Sequence, residues 1–250
     1  MGSLKITFLR TSMLLLEAEG ARILTDPWFG MVMRIVPVFR KPGIPLDQLG
    51  HLDGVLATHC HPDHFERASV ERLTHPRLTI VGCAGIQKYT AGMVSGPVIG
   101  LRPWETASIG PFHITATPAL HTNPPPPEVN YLIDVAGVRV FFGGDTRYSP
   151  AFEAIADRGP IDVALLPIGG TLIFGHRTTM NPADAVRAAN ILKPRVVIPI
   201  HEGGEWMPMP PASWHPGRNH HFVRDLARSG LPVEARVLAP GESAEFWPRA

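Results

Sequence analysis

The chain has 250 residues, 44% hydrophobic and 18% charged, so a sizeable buried core is within its means. A net charge of +1 with no Lys/Arg run argues against a dedicated nucleic-acid binder, and two cysteines, Cys60 and Cys83, exclude a disulfide framework. No segment approaches the roughly 18 uninterrupted apolar residues of a membrane span, and Met13–Leu16, closed by Glu17 and Glu19, lacks the basic head of a signal peptide. The cytoplasm is therefore the expected location.

Strand patterns open the chain: Lys5–Leu9 alternates, Ser12–Leu16 is a compact apolar run, and Arg22–Thr25 leads into Asp26-Pro27. Residues 30–50 read as a long exposed loop, with Met31, Val32, Met33, Ile35, Val36, Val38 and Phe39 apolar enough to cover a partner or a pocket. Gly54–Ala57 is a short buried strand. Glu66–Leu73 and Ala84–Val94 have helical composition, and Thr79–Val81 is a strand between them. Strands return at Phe112–Thr117, Tyr131–Val135 and Val138–Phe142, the last two joined by a hairpin turn. Pro124–Pro127 must be an extended loop without backbone donors. A helix over Pro150–Asp157, a strand over Val163–Leu166, a helix over Pro182–Leu192 capped by Asn181, and a strand over Val196–Ile200 follow. Residues 203–220 have no period; Phe222–Arg228 is a helix stopped by Gly230, and Val233–Leu238 closes as a strand. Two sheets covered by helices fit this order.

The strongest local signal is Thr58-His59-Cys60-His61-Pro62-Asp63-His64, with four potential ligands in six positions directly after an apolar strand. Alternate residues in such a loop can project to one point, so His59 and His61 can share a metal, while Asp63 and His64 reach a neighbouring position. Imidazoles with a carboxylate suit zinc, manganese or iron better than calcium. Asp145 follows the strand Val138–Phe142 and two glycines, His201 follows Val196–Ile200, and His121 follows Phe112–Thr117. Four strands ending in ligand-type residues describe one rim of a sheet sandwich.

These motifs, Asp26 in Thr-Asp-Pro-Trp, the His-x-His-x-Asp-His block, His121, Asp145 in Gly-Gly-Asp-Thr and His201 in Pro-Ile-His, resemble those of the metallo-β-lactamase superfamily in their order along the chain. The resemblance covers nearly the whole sequence. It implies an α/β fold, a four-layer αββα sandwich, formed as a single domain over residues 1–250 with metals at one edge of the sheets. It further implies His59, His61 and His121 on one metal, Asp63, His64 and His201 on the other, Asp145 bridging them, and Asp26 orienting a ligand by a hydrogen bond. Within the superfamily the chain is similar to the ascorbate-6-phosphate lactonase-like hydrolases of the UPF0173 type. That likeness rests on short early loops, Thr179–Ala185, Leu192–Pro199 and Val237–Glu242. Gly170–Thr178, carrying Leu-Ile-Phe-Gly-His-Arg, departs from it and reshapes the expected pocket.

Two metals about 3.5–4 Å apart can hold a hydroxide and polarise a substrate oxygen, so a hydrolase acting on an ester, lactone or phosphoester is expected. Two zinc ions per chain are expected, with manganese or iron as alternatives. Competing readings are a mononuclear iron thiol or sulfur oxidoreductase on the same fold and a phosphodiesterase acting on nucleotides. The expected partners are a small-molecule substrate and further copies of the chain in a homo-oligomer, with neither nucleic acid nor membrane. Asp63 is a candidate to orient the nucleophile, His176 and Arg177 to touch substrate, and Arg147 to grip a phosphate or carboxylate. His215, His220 and His221 read as surface-loop residues and His113 as locally bonded, while Cys60 should point away from the metal. Trp206, Met207, Met209 and Trp214 form either an apolar lid or ordinary packing.

Overall fold

The computed structural model describes residues 2–31, 38–122 and 128–249; Val32, Met33, Ile35, Val36 and the four-proline stretch lie outside them. In chain order the elements are β1 (Leu4–Arg10), β2 (Met13–Ala18), β3 (Ala21–Thr25), β4 (Gly54–Ala57), α1 (Arg67–Leu73), β5 (Thr79–Cys83), α2 (Ile86–Thr90), β6 (Val98–Leu101) and β7 (Thr106–Ile109). There follow β8 (Phe112–Pro118), β9 (Val129–Val135), β10 (Val138–Phe142), α3 (Ala151–Ala156), β11 (Val163–Pro167), β12 (Leu172–Ile173) and β13 (His176–Arg177). The chain ends with α4 (Pro182–Leu192), β14 (Val196–Ile200), β15 (Ser213–Trp214), α5 (Asn219–Ser229), β16 (Glu234–Ala235) and β17 (Ser243–Phe246).

Two seven-stranded sheets face each other, ordered β17-β1-β2-β3-β4-β5-β6 and β16-β14-β11-β10-β9-β8-β7. The apolar runs of the sequence arise because these strands are covered on both faces. With a period of two, alternate residues serve two different cores. Leu16, Ile23, Leu56 and Val81 of the first sheet meet Val140, Phe142, Leu165 and Ile198 of the second in the central core. Leu15, Leu24, Val55 and Ile80 face outward onto Val70 of α1 and Ile86 of α2. Phe141, Ala164, Leu166 and Val197 face outward onto Phe152 of α3, Ala185 and Ala189 of α4, and Phe222 of α5. The result is the four-layer αββα sandwich.

Strand direction places the site. β3 and β4 are parallel, as are β10, β11 and β14, and β8 runs with β10 because each is antiparallel to β9. Their carboxyl ends therefore share a rim, and every ligand-type residue of the sequence follows one of them. Hydrogen bonds stitch the sheets together there. Tyr131 donates its hydroxyl to the Ala57 carbonyl at 2.7 Å. The amides of Val129 and His201 donate to the carbonyls of Thr58 and Thr11.

Three expectations change. Val233–Leu238 contains only the two-residue β16, and the closing strand is β17, which pairs antiparallel with β1. The helix expected over Ala84–Val94 is confined to Ile86–Thr90, entered through Gly85 in the left-handed region. The strands β6 and β7 and the small sheet β13-β12-β15 carry too few residues for a periodicity to show. Helix α4 begins as expected: the Asn181 side chain accepts from the Asp184 amide at 2.8 Å in a reciprocal capping box.

Candidate metal centre

The loop after β4 turns at once, with the amides of His64 and Phe65 donating to the His61 carbonyl, and this brings His59, His61, Asp63 and His64 to one rim. Opposite them the loop after β10 brings Asp145. It approaches closely because Gly144, at φ +22°, lies where a Cβ would fall 2.6 Å from the Thr58 side chain. His201 leaves β14 at φ +50°, a strained value for a side-chain-bearing residue. Its carbonyl packs against Gly169, where a Cβ would sit 2.5 Å away.

Two groups of ligand atoms result, His59, His61 and His121 with Glu128 in one and Asp63, His64 and His201 in the other, linked by a third group of His59, His64 and Asp145. In the first, His59 Nε2 and His121 Nε2 lie 2.9 and 3.3 Å from His61 Nδ1. His121 donates Nδ1–H to the Thr178 carbonyl at 2.7 Å. Thr58 gives its hydroxyl proton to Asp26 and therefore accepts from His59 Nδ1–H at 3.0 Å. Burial, joined for His59 by the neighbouring imidazoles, holds His59 well below the ordinary histidine range and lowers His121. Two neutral rings thus aim Nε2 lone pairs at one point, an arrangement that a cation satisfies and a single proton does not.

In the second group, His64 Nε2 and His201 Nε2 lie 3.2 and 3.0 Å from Asp145 Oδ1, and each is 3.8 Å from Asp63 Oδ2. Burial opposes charge on these groups, yet Asp145 and Asp26 raise His64 well above its ordinary value, and Asp145 raises His201 to about 10. Against the same burial, His201 and His64 hold Asp145 well below the carboxylate range, and the neighbouring His201 and His64 lower Asp63. Asp145 Oδ2 faces the first group, 3.6 Å from His121 Nε2. One carboxylate thus offers an oxygen to each group. His64 Nε2, His201 Nε2 and Asp145 Oδ1 are buried without an aligned hydrogen-bond partner, the state expected of atoms shaped to ligate. The donor set of imidazoles and carboxylates fits zinc, manganese or iron.

Asp26, fully buried behind the ring, accepts from His64 Nδ1 at 2.7 Å, from the Thr58 hydroxyl at 2.8 Å and from the Thr58 amide at 2.8 Å. Burial pushes its carboxyl up and His64 pulls it down, with a net rise. These bonds fix the His64 ring with Nε2 toward the cluster.

A cavity of about 230 Å³ opens over the cluster, walled by Trp206, Met209 and Ile173 and by the polar side chains of Thr171, Ser213 and His215. Larger hollows of about 480 and 720 Å³ elsewhere on the surface hold none of the clustered histidines or aspartates. His176 and Arg177, expected to touch substrate, are exposed and do not line the cavity. They lie on β13, the outer strand of the small sheet, one strand spacing of about 4.8 Å beyond β12. Arg147 does not line it either. Of the four lid candidates, Trp206 and Met209 form the wall, while Met207 and Trp214 are exposed. Cys60 turns from the ligands toward both flanking cores, its thiol pushed up by a hydrogen bond with Cys83 and by burial. His113 bonds Ser108 on the neighbouring strand, and His220 and His221 pack together on α5.

Two residues escaped the sequence. Glu128, at the start of β9, offers a carboxylate oxygen to the His59, His61 and His121 group; burial pushes it to about 7 and Thr122 donates to it. Its only signal was a carboxylate three residues before the expected strand Tyr131–Val135, masked by the prolines preceding it. His215 is buried within its loop rather than on the surface: Thr171 Oγ1 lies 2.9 Å from its Nδ1, Ser213 Oγ 2.8 Å from its Nε2, and its ring meets Trp206 edge-on. Burial and then His201 lower it to about 4.

Known proteins share this plan. A family model described as the beta-lactamase superfamily domain matches residues 21–201. A UPF0173 metal-dependent hydrolase of Methanopyrus kandleri is 31% identical over 97% of this chain and 100% of its own. One of Rubrobacter xylanophilus is 30% identical over 97% and 96%. The solved structure of a metallo hydrolase from the hyperthermophilic archaeon Ignicoccus hospitalis superposes with a TM-score of 0.76 at 25% identity, covering 98% of each chain.

Proposed function

The chain belongs to the metallo-β-lactamase superfamily, in its UPF0173 branch, and from that premise we propose that it is a binuclear metal-dependent hydrolase of esters, lactones or phosphoesters. The observation that carries the binuclear reading is Asp145, whose two oxygens face two different groups of ligand atoms. His59, His61 and His121 would hold one cation, with Glu128 in reach, and Asp63, His64 and His201 the other. Bound divalent cations lower the pKa of water to about 7 and polarise a substrate oxygen, which is the chemistry hydrolysis needs.

The protein's own part is positional. Asp26 keeps the His64 ring in the tautomer that presents Nε2, and the Thr178 carbonyl does the same for His121. Asp63 lines the cavity beside His201, where it can accept a proton bond from the attacking water and aim it. Trp206 and Met209 exclude bulk water from one side, which strengthens every charge interaction within. No helix among the described residues is long and apolar enough to cross a membrane.

Metal identity and equivalents, measured on protein purified without a metal-affinity tag, test the reading. Close to two zinc or manganese ions per chain, with ester or phosphoester turnover that disappears on chelation, is the expected result. One iron and no second metal, or undiminished turnover by the metal-free chain, would overturn it.

A further inference from the structure

The wall facing the cluster carries a hydrogen-bonding device that neither the ligands nor Asp26 use. Thr171, directly before β12, and Ser213, on β15, place their hydroxyls on opposite nitrogens of the His215 ring. The backbone holds them there: the Thr171 amide donates to Thr179 Oγ1 at 2.9 Å, and Ser213 and Met209 exchange two amide-to-carbonyl bonds. A neutral imidazole has one N–H and one lone pair. Whichever nitrogen carries the proton, one hydroxyl donates to the ring and the other accepts from it. The accepting hydroxyl keeps its own proton free, and both Thr171 and Ser213 line the cavity.

The wall therefore presents one hydroxyl donor and one set of oxygen lone pairs. An uncharged ester or lactone can accept from that donor and meets the neighbouring lone pairs without charge repulsion, whereas those lone pairs would repel a phosphoester oxyanion. The rest of the wall, Trp206, Met209 and Ile173, is apolar, and among the described residues no lysine or arginine lines the cavity. Nearby cations are engaged elsewhere: Arg40 with Glu202 and Glu205, Arg218 with the carbonyls of His215 and Gly217. Sites built for phosphate add fork-shaped or ammonium donors to their metals. The cavity, about 230 Å³, is also smaller than the roughly 300 Å³ at which drug-sized ligand sites begin.

We propose that the Thr171–His215–Ser213 chain is the substrate-orienting wall of this enzyme and that its substrates are small uncharged acyl compounds, esters or lactones, in preference to phosphoesters. The inference rests on the hydrolase reading of the cluster and narrows it. Thr171 and Ser213 touch the substrate and fix its tilt over the cluster, and His215 is a positioning residue that fixes which hydroxyl proton is free.

The zinc-loaded protein tests this with p-nitrophenyl acetate, bis(p-nitrophenyl) phosphate and γ-butyrolactam, an uncharged carbonyl compound that resists hydrolysis. Acetate turnover that exceeds the metal-free background, with phosphodiester turnover that does not, is expected. Thr171→Val and Ser213→Ala should each raise KM for the acetate by about five- to tenfold, one by removing the free donor and the other by letting the His215 ring take up that donor's proton, with kcat within about threefold. They should weaken calorimetric binding of the lactam by the same factor and leave zinc content unchanged, and Thr171→Ser should restore both values. Faster turnover of the phosphodiester than of the acetate would overturn the substrate class while the hydrolase reading stands. Unchanged KM and lactam affinity in both variants would overturn the wall. Two bound zinc ions with neither substrate turned over would overturn the hydrolase reading and this inference with it.

Discussion

Asp26→Asn tests the link between a buried hydrogen bond and the metal centre. Asp26 Oδ2 accepts from His64 Nδ1 and from the Thr58 hydroxyl, and Oδ1 accepts from the Thr58 amide, in a site 1% exposed. A carboxylate accepts all three, but a carboxamide has one acceptor end and one donor end. If its oxygen stays on the Thr58 amide, its NH2 faces His64 Nδ1. The ring must then present a lone pair there and carry its proton on Nε2, which blocks the ligating atom. If its oxygen stays on His64, the NH2 opposes the Thr58 amide and leaves a buried donor unpaired, at about 1–3 kcal/mol. Losing such a supporting carboxylate costs about 10–100-fold in metal affinity, or about 1.4–2.7 kcal/mol. Competition with a chromophoric chelator should show this weakening in one of two zinc equivalents, with the other nearly unchanged. Urea unfolding of the metal-free variant reads the stability arm. Wild-type affinity at both equivalents together with wild-type stability would refute the claim that Asp26 sets the His64 tautomer.

Other consequences can be measured separately. Glu128→Gln should weaken the zinc equivalent held by His59, His61 and His121 by about tenfold or more, read by the same chelator competition; unchanged affinity would remove Glu128 from that group. Asn181→Ala breaks the capping box of α4 and should cost about 1 kcal/mol in urea unfolding without altering metal content. The metal-free chain should lose stability as pH rises. His201 is raised to about 10 against an unfolded value of about 6.5, so its contribution is complete below about pH 6.5 and gone by about 10, and His64 shifts in the same direction. Asp145, held low, contributes above about pH 3.9 and loses that contribution as pH falls. Urea midpoints of the metal-free protein should thus decline between pH 7 and 10. The zinc-loaded protein should show much less decline, because cations replace those protons against Asp145 and Asp63; equal declines would contradict this.

The local pattern alone determined a good deal. Apolar runs over Val138–Phe142, Val163–Leu166 and Val196–Ile200 read as strands, and Asn181 ahead of Pro182 reads as the cap that begins a helix, as the structure has them. The His-x-His-x-Asp-His block and the ligand-type residues after three other strands named the seven side chains that the fold gathers. Short-range physics suffices there, because burial period, capping and turn chemistry are written within a few residues. Tertiary structure alone decided which atoms face which. That Asp145 divides its oxygens depends on a loop from one sheet meeting loops from the other. That Glu128 reaches the first group depends on β9 starting at the rim where β8 ends. The pairing of β17 with β1 joins residues more than 230 apart, which no local period encodes. His215 looked like a surface histidine among prolines and became a buried one because Thr171 and Ser213, brought from 44 and 2 residues away, cap both of its nitrogens. Its burial depends on chain closure around a hydrogen-bonded ring, and composition carries no record of that.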